Sequence, residues 1–424
     1  MRQNREERDL DTDIGSTAPN DARALRMGVI AWLSHNVPIG SIFGTAGVLL
    51  IPLQQRLQVS RGLASIEIPM VIVGSALLAS VAGVLAARYS LRRLMAASGL
   101  FLSLAWVILA FAHSYWLFLL ACGLFLGPAM ATAGSVLPPT LVTRWFQRNR
   151  GLAIGIVHLP ILIAVMPIAA TLVIEHLGVT ALFVALALLA AVTLIPASLA
   201  LIEYPPSHAG RASGADKKTT GPTPSFDVLQ LIQSPRFWLL ALAVGAPNTS
   251  SITLAAHLPA MGIAWGYAPT AAAALSSAMS ILGMAGSIIF GFVSDRIGGM
   301  RTLALIAFND AILWALLSMD FPYAVRALVV GLIGMHGAGA IPAISKAMAA
   351  AFGEASFSRA FGLASTATLP LQIAAVAGFG VTFQARGSYI VGILAMIGYF
   401  VVAAPLAIVA DRSWRITSMA SAPT

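Results

Sequence analysis

The sequence predicts an all-α membrane protein whose twelve transmembrane helices form two related six-helix halves. Three observations support this fold class: the composition, a series of twelve long apolar runs, and short motifs that repeat at one constant offset. Of the 424 residues, 58% are hydrophobic and only 10% are charged, whereas a soluble domain carries roughly 25% charged residues. Because so few charges cannot cover a water-facing surface, much of the surface must face lipid.

The apolar runs are long enough to cross a bilayer, since a helix that spans about 30 Å of hydrocarbon needs about 20 mostly apolar residues. The first six predicted spans are residues 27–53, 65–87, 94–113, 115–145, 152–174 and 179–202. The second six are residues 237–265, 271–293, 302–319, 323–352, 360–383 and 388–410. Lipid-exposed backbone must hydrogen-bond within its own segment, so each run is expected to be helical.

These spans divide the chain into five parts. A polar tail of residues 1–25 without the apolar core of a secretory signal precedes the N-terminal half, residues 26–202. Residues 203–235 are rich in Pro, Ser, Thr and Gly, which is typical of a flexible linker; an ordered lid is the alternative. The C-terminal half covers residues 236–410, and residues 411–424 form a second tail.

The distribution of Lys and Arg predicts the orientation in the membrane. Twelve spans place both termini on one side, and most basic residues fall in the loops of that side, near positions 23–26, 88–93, 144–150, 211–236, 296–301, 359 and 412–415. The opposite loops hold only Arg56, Arg61, Arg326 and Arg386. We therefore expect both termini to be cytoplasmic, most simply in a bacterial inner (plasma) membrane, and we read the formal charge of +9 as a topology signal and expect no nucleic-acid partner.

An internal repeat relates the two halves. Matching features lie about 208 residues apart: residues 83–93 and 291–301 after the second and eighth spans, Arg150 and Arg359, Pro38 and Pro247, and Pro52 and Pro259. Parallel repeats of this kind are a known plan of secondary transporters, with the solute site near the membrane midplane between the halves and alternating access by rocking.

The segment that leaves the eighth span resembles the loop signature of the major facilitator superfamily. Its pattern is Gly291, three residues, Asp295-Arg296, one residue, Gly298 and then the basic Arg301. The resemblance implies the major facilitator fold, a cavity lined by the first, fourth, seventh and tenth spans, and a cytoplasmic gate between the halves. Its counterpart in the first half has the gate residues Gly83, Arg88, Arg92 and Arg93. The alternative for these three arginines is that they only fix the topology.

A narrower resemblance concerns monocarboxylate transporters and oxalate/formate antiporters. The sequence of residues 143–156, Thr-Arg-Trp-Phe-Gln-Arg-Asn-Arg-Gly-Leu-Ala-Ile-Gly-Ile, is similar to the entry of their fifth span, and Ile51-Pro-Leu-Gln and Gly387-Ser-Tyr also fit. It implies a monomeric secondary active transporter of a small organic solute, a mono- or dicarboxylate, by proton symport or anion exchange. Proton-driven efflux of amphiphilic or drug-like compounds is the alternative.

Two features depart from that pattern. The first, eighth and eleventh spans contain no Lys or Arg, although these families often place a cation there to meet the carboxylate. The run after Gly155 is interrupted by His158 and Pro160. A differently charged or delocalised solute therefore stays open.

Ionisable groups at membrane depth are candidates for the solute and proton pathway, because each costs at least about 2.5–3.5 kcal/mol on insertion scales. Asp310 in the ninth span is either a proton-coupling acid or a hydrogen-bond partner of a neighbouring helix. His336 in the tenth either binds an anion or relays a proton, or makes an interhelical contact beside glycines.

The remaining pathway candidates fall beside repeated prolines or at intermediate depth. His35 and Asn36 flank Pro38, and Asn248, Thr249 and Ser250 follow Pro247, so a proline-loosened polar break is expected in the first and seventh spans. His158 lies in the fifth span. Lys346 lies near the cytoplasmic end of the tenth, where it either snorkels to the interface or meets an anion.

Other function classes lack their signatures. The sequence has no Gly-x-x-x-x-Gly-Lys-Ser/Thr phosphate loop, no His-Glu-x-x-His, and a single cysteine, Cys122. We therefore expect no enzyme activity, no cofactor and no metal, with transport driven by an ion or exchange gradient and protons as the expected partner. The sequence does not name the solute, the coupling ion or the direction.

Overall fold

Twelve long helices account for almost all of the described chain in the computed structural model. It describes residues 18–146, 150–205, 226–353 and 356–420, and only the backbone of residues 18–21, 79–84, 86–88, 150, 151, 358 and 412–420. The helices of the first half are α1 (Ala18–Leu57), α2 (Glu67–Arg88, preceded by the single turn Arg61–Ala64), α3 (Leu91–Phe111), α4 (Tyr115–Trp145), α5 (Arg150–Val157 and Ile161–Leu177) and α6 (Val179–Ala200). Those of the second half are α7 (Pro235–Ala264), α8 (Pro269–Ile297), α9 (Gly299–Leu317), α10 (Tyr323–Phe352), α11 (Phe357–Arg386) and α12 (Ile390–Ala420).

The predicted fold class is confirmed. Twelve helices of the described chain are long and apolar enough to cross a membrane, and each coincides with a predicted span. In the described chain, one large core cluster consists of first-half residues apart from Ala260, two consist of second-half residues, and only a small fourth cluster (Ala46, Ile68, Ala256 and Val376) joins the halves. Each half therefore buries its own interior, as a two-half architecture requires.

The ends of the chain and of the linker differ from the predicted boundaries. Helix α1 begins at Ala18, inside the predicted tail, and α12 continues to Ala420. The last part of the predicted linker contains a short helix, Val228–Gln233, because Asp227 and Gln230 form a capping box at its start. Residues 206–225 of the linker lie outside the described part of the chain.

Helices α1 and α7 are continuous, so the predicted proline breaks are wrong at these two places. Both prolines of each helix lie inside it, at Pro38 and Pro52 in α1 and at Pro247 and Pro259 in α7. Transmembrane helices tolerate proline in such positions.

The break in the first half lies in α5, whose two parts flank His158, Leu159 and Pro160. The amide of Leu162, in the first turn after the break, donates to Asn36 Oδ1 of α1 over 3.3 Å. Helix α4 is irregular as well, with π-helical stretches at Cys122–Leu126 and Met130–Val136. Such stretches are frequent at functional sites, and these helices adjoin α1.

The halves meet closely at the end of the bundle opposite the chain termini, which we call the distal end; the end with the termini is the proximal end. Ser65 Oγ donates to the Val376 carbonyl over 3.3 Å, and Arg61 donates to Tyr389 Oη over 3.1 Å while its guanidinium lies 3.9 Å from the ring centre of Phe383. These contacts, and those of glycines in α1, in the turn Arg61–Ala64 and in α11, make up the distal seal. It comprises Gly47, Arg61, Gly62, Ser65, Ala255, Pro259, Val376, Gly380, Phe383 and Tyr389.

Candidate functional site

A cavity of about 630 Å³ lies between the halves. Helices α1 and α5 line one side, and α7, α8 and α10 line the other. The family resemblance predicted lining by the first, fourth, seventh and tenth spans; the fifth and eighth take the place of the fourth. At its distal end the cavity reaches Gly47 and Pro259, which also border a smaller cavity of about 170 Å³. Gly47 and Pro259 therefore lie between the two cavities.

The cavity wall is mainly apolar and its described lining side chains include no Asp, Glu, Lys or Arg. Ile39, Phe43, Ile163, Met279 and Met284 provide much of the wall. His158 is the titratable side chain of this lining. A charged solute in such a wall needs charge compensation, because an unpaired charge in an apolar environment is costly.

His158 forms a pair with His35, which projects from α1 behind it, with ring centres 4.5 Å apart. Nδ1 of His158 lies 2.8 Å from the Ile154 carbonyl, and Nδ1 of His35 lies 2.7 Å from the Gly134 carbonyl. Gly134 belongs to the second π-helical stretch of α4. The structure thus brings together two of the predicted pathway residues, beside the irregular parts of α4 and α5.

The carbonyl contacts fix the tautomer of both imidazoles. A carbonyl oxygen only accepts hydrogen bonds, so Nδ1 of each ring must carry the proton. Nε2 is then an acceptor in the neutral ring and a donor only when the ring is protonated. His158 can consequently donate from Nε2 to an anion in the cavity only as an imidazolium.

The second-half wall supplies uncharged polar groups. Asn248, a predicted pathway residue, lines the cavity together with Ser251, Ser276, Ser280 and Ser287. The predicted Thr249 and Ser250 are buried and are not among the lining residues; Ser250 Oγ accepts a hydrogen bond from Trp314 over 2.9 Å. Helical spacing explains this, because successive residues of α7 point in different directions.

Asp310 and His336 form a buried pair one layer behind the cavity. His336 Nδ1 lies 2.5 Å from Asp310 Oδ1, joining α9 to α10, and both side chains are almost fully buried. Gly334 and Gly337 of α10 line the cavity, whereas His336 is not in the lining and packs edge-on against Phe290 of α8. The structure therefore brings these two predicted residues together, away from the cavity surface.

We expect the Asp310→Ala variant to lose about 3 kcal/mol of unfolding free energy, because removing one partner leaves the other buried and unpaired. Unfolding in detergent by denaturant titration measures this loss. The double variant Asp310→Ala/His336→Ala should lose less than the sum of the two single variants. Additive losses would show that the pair does not act as a unit.

The predicted gate residues lie at the proximal end. Asp295 accepts from Lys346 Nζ over 2.7 Å, and Arg301 pairs with Asp411 over 2.9 Å, both within the second half. Lys346 therefore meets an acid of α8 and is not among the cavity-lining residues. Gly291 lies one turn before Asp295 in α8. Gly298 caps the C-terminal end of that helix with a φ of +91°, a conformation that favours glycine.

In the first half, Arg92 donates to the carbonyls of Ser198 and Leu199 at the C-terminal end of α6, where a cation is favourable. Arg93 of the first half and Arg296 of the second half are exposed. The surroundings of Gly83 and the side chain of Arg88 lie outside the described part of the structure. The described gate residues thus do not link the two halves in this conformation.

Sequence reasoning missed three groups. Ser276 and Met279 of α8 gave no signal, because serine and methionine are common in apolar runs. Tyr389 lies at the start of the last predicted span, and nothing in the sequence indicated its part in the distal seal. Glu67 of α2 is 3% exposed and its Oε1 has no hydrogen-bond partner among the described residues; an acid inside the second predicted span was the signal that could have identified it.

Comparison with known proteins establishes the family. Residues 32–376 match the model of the Major Facilitator Superfamily, so the chain belongs to this superfamily of membrane transporters. Among curated relatives, the MFS-type transporter hasB of Aspergillus fumigatus is 29% identical over 49% of this chain and 46% of its own length. The oxalate:formate antiporter of Oxalobacter formigenes is 27% identical over 46% of this chain and 43% of its own length.

A third relative is matched over more of its length. The MFS-type transporter YhjX of Escherichia coli is 22% identical over 68% of this chain and 71% of its own. For the other two relatives, the match spans less than half of their length. Among solved structures, a bacterial homologue of the human lysosomal transporter Spinster, inward-facing and unoccupied, superposes with a TM-score of 0.67 at 16% identity over 94% of this chain and 98% of its own. This likeness supports the fold.

Proposed function

We propose that this transporter carries a monocarboxylate together with a proton in the same direction. The observation behind the proposal is His158, the titratable side chain of an otherwise uncharged apolar cavity lining. Since its Nε2 donates only when the ring is protonated, anion binding there takes up a proton. The imidazolium and the carboxylate then form a neutral pair that the apolar wall tolerates.

His35 acts as the neighbour of His158 in this scheme. Two imidazolium rings 4.5 Å apart would repel each other, so only one of the two rings is positively charged at a time. One positive charge matches one carboxylate, which favours a monocarboxylate over a dicarboxylate. Asn36 positions the broken helix, and Asn248 faces the solute from the second half.

Asp310 and His336 take a structural role in the proposal, as a tie between α9 and α10. Neither side chain lines the cavity, and Asp310 Oδ1 is hydrogen-bonded to His336 Nδ1. Proton-driven transport should therefore survive the exchange Asp310→Asn, provided that the variant is folded.

The described conformation corresponds to an inward-facing state. The hydrogen bonds described above between the halves lie at the distal end, and the excess of Lys and Arg at the proximal end favours a cytoplasmic location for that end. Both termini would then be cytoplasmic, and a bacterial inner membrane fits this topology. Asp295 and the arginines of α3 would close the gate when the proximal ends approach.

The gate proposal predicts a specific effect of Asp295→Asn. The ion pair with Lys346 is exposed, so its loss should change the unfolding free energy by less than about 1 kcal/mol. Uptake should nevertheless fall several-fold, because the closed proximal end loses its acid. The same uptake as in the wild type would remove Asp295 from the gate.

The decisive experiment is uptake of labelled mono- and dicarboxylates into proteoliposomes, with and without an inward proton gradient. Gradient-stimulated uptake of monocarboxylates supports the proposal. Gradient-stimulated export of amphiphilic compounds would instead favour efflux. Met279 and Met284 of the cavity wall are compatible with efflux, because methionine side chains adapt to differently shaped solutes. Uptake of no acid under either condition would overturn the carboxylate assignment.

A further inference from the structure

A short helix in the last part of the linker carries an apolar face at the proximal end. This linker helix, Val228–Gln233, has the sequence Val-Leu-Gln-Leu-Ile-Gln. At 3.6 residues per turn, its apolar side chains fall within an arc of roughly 160°, and both glutamines lie on the remaining side. The helix is therefore amphipathic, although the composition of the linker as a whole is typical of a flexible tether.

Within the described chain, protein covers only one edge of this apolar face. Leu231 is fully buried in a core cluster of the second half. Val228, Leu229 and Ile232 are exposed, and the exposed fraction of Leu229 is 62%. Neighbouring apolar side chains that stay exposed together mark a surface that binds a partner or a membrane.

The linker helix is fixed to the second half at both of its ends. The amide of Phe226 donates to Ser356 Oγ, just before α11, over 2.7 Å, and the Phe226 ring packs edge-on against Phe352 of α10 with ring centres 5.8 Å apart. At the other end, Trp238 Nε1 of α7 donates to the Ile232 carbonyl over 2.8 Å. The helix therefore has a defined place against α7 and α11, and its exposed face points in a fixed direction.

The exposed face continues into the surface of a membrane-spanning helix. Only Ser234 separates the linker helix from Pro235, the first residue of α7. The ring of Trp238 beside Ile232 is exposed, and so is Leu242 one turn further along α7. Neither Trp238 nor Leu242 is among the cavity-lining residues. Tryptophan is enriched where a spanning helix crosses the boundary between lipid and water, and this boundary is the depth of the linker helix.

The charge of the segment distinguishes between two modes of membrane attachment. Residues 226–233 contain one acid, Asp227, and no Lys or Arg. Asp227 caps the helix and accepts from the Val228 amide over 2.8 Å. Attraction to anionic headgroups needs basic residues, so burial of apolar side chains is the force available to this helix.

We infer that the linker helix is an interfacial membrane anchor whose exposed apolar face lies in the lipid leaflet at the proximal end. Its partner is the bilayer itself, whatever the charge of the headgroups. Leu229 and Ile232 enter the leaflet beside Trp238, while Gln230 and Gln233 stay in water. Because the linker helix is fixed to α7 and α11, it holds the proximal end of the second half at the membrane surface. This inference concerns the linker and does not depend on the solute.

Spin labels on introduced cysteines test this placement in proteoliposomes that contain the full chain. The native cysteine, Cys122, is buried, and the wild type treated with the same reagent measures background labelling. Labels at Leu229→Cys and Ile232→Cys should collide more often with oxygen, which concentrates in lipid, than with a water-soluble nickel chelate. Their depth should be about 5–10 Å into the boundary between headgroups and acyl chains. Labels at Gln230→Cys and Gln233→Cys should show the reverse order of accessibility.

Two double variants with a label at Val228→Cys provide a matched comparison. Leu229→Asp/Ile232→Asp places two charges on the apolar face and should move this label out of the leaflet. Gln230→Asp/Gln233→Asp places the same charges on the polar face and should leave the depth of the label unchanged. High salt should also leave the depth unchanged, because screening weakens only electrostatic attachment.

Three results would overturn the inference. Higher accessibility to nickel than to oxygen at all four single-label positions would place the linker helix in water. Low accessibility to both reagents at Leu229 and Ile232 would show that protein covers the apolar face, either a second copy of the chain or residues 206–225. A label that leaves the lipid at high salt would show that the attachment is electrostatic.

Discussion

The His158→Gln variant should lose proton-driven accumulation of the monocarboxylate. Glutamine has a similar reach and an amide that can donate to an anion, but it cannot take up a proton. Loss of one charge-assisted hydrogen bond of about 2–3 kcal/mol weakens anion binding roughly 30- to 150-fold. Initial rates of uptake into proteoliposomes with an inward proton gradient measure the effect.

The residual activity of this variant separates coupling from binding. Exchange of labelled for unlabelled acid, measured without a gradient, should persist at high concentration. His176→Gln is the control, since His176 is an exposed histidine of the same helix. Gradient-driven accumulation by His158→Gln at the wild-type rate would contradict the assignment of the proton to this residue.

Much of the fold follows from local properties of the sequence. Twelve apolar runs, a repeat near 208 residues and the distribution of Lys and Arg depend only on segment length, composition and order. The membrane strengthens these signals, because lipid-exposed backbone must form helices. Boundaries were less certain: α1 starts at Ala18 because helix-forming residues continue into the polar tail, where no apolar signal marks them.

The site was less accessible to sequence reasoning because it depends on which helix faces are opposed. His35 and His158 are 123 positions apart, and only the packing of α1 against α5 places their rings in contact. Proline suggested breaks in α1 and α7, yet the break lies beside Pro160, where Asn36 of α1 accepts the freed amide of Leu162.

Asp310 and His336 show that sequence reasoning can also assign residues to the pathway that do not line the cavity. Each was a plausible pathway residue by depth alone. They are paired with each other across α9 and α10, and the face of α10 that meets the cavity carries Gly334 and Gly337 instead. Depth in the membrane can be estimated from residue number, whereas the direction of a side chain requires the tertiary structure.

The distal seal is the second feature from which a large effect is expected. Gly380 of α11 lies directly against the backbone of Gly62, and a Cβ atom at position 380 would overlap the Gly62 amide nitrogen. Both sides of this contact are backbone, so neither can move aside as a flexible side chain would. Gly380→Ala should therefore keep the distal ends of the two halves apart.

Transport should fall at least about tenfold in this variant, because alternating access requires the distal end to close in each cycle. Gly378→Ala is a close control, since Gly378 is in the same helix and a Cβ atom there meets nothing within 4 Å. Spin labels at the exposed positions Gln58 and Arg386 report the separation of the halves at the distal end. A longer distance in Gly380→Ala than in Gly378→Ala, with equal thermal stability, is expected. Equal distances and equal transport in the two variants would show that this backbone contact does not control closure, and would leave Arg61 with Phe383 and Tyr389 as the elements that hold the seal.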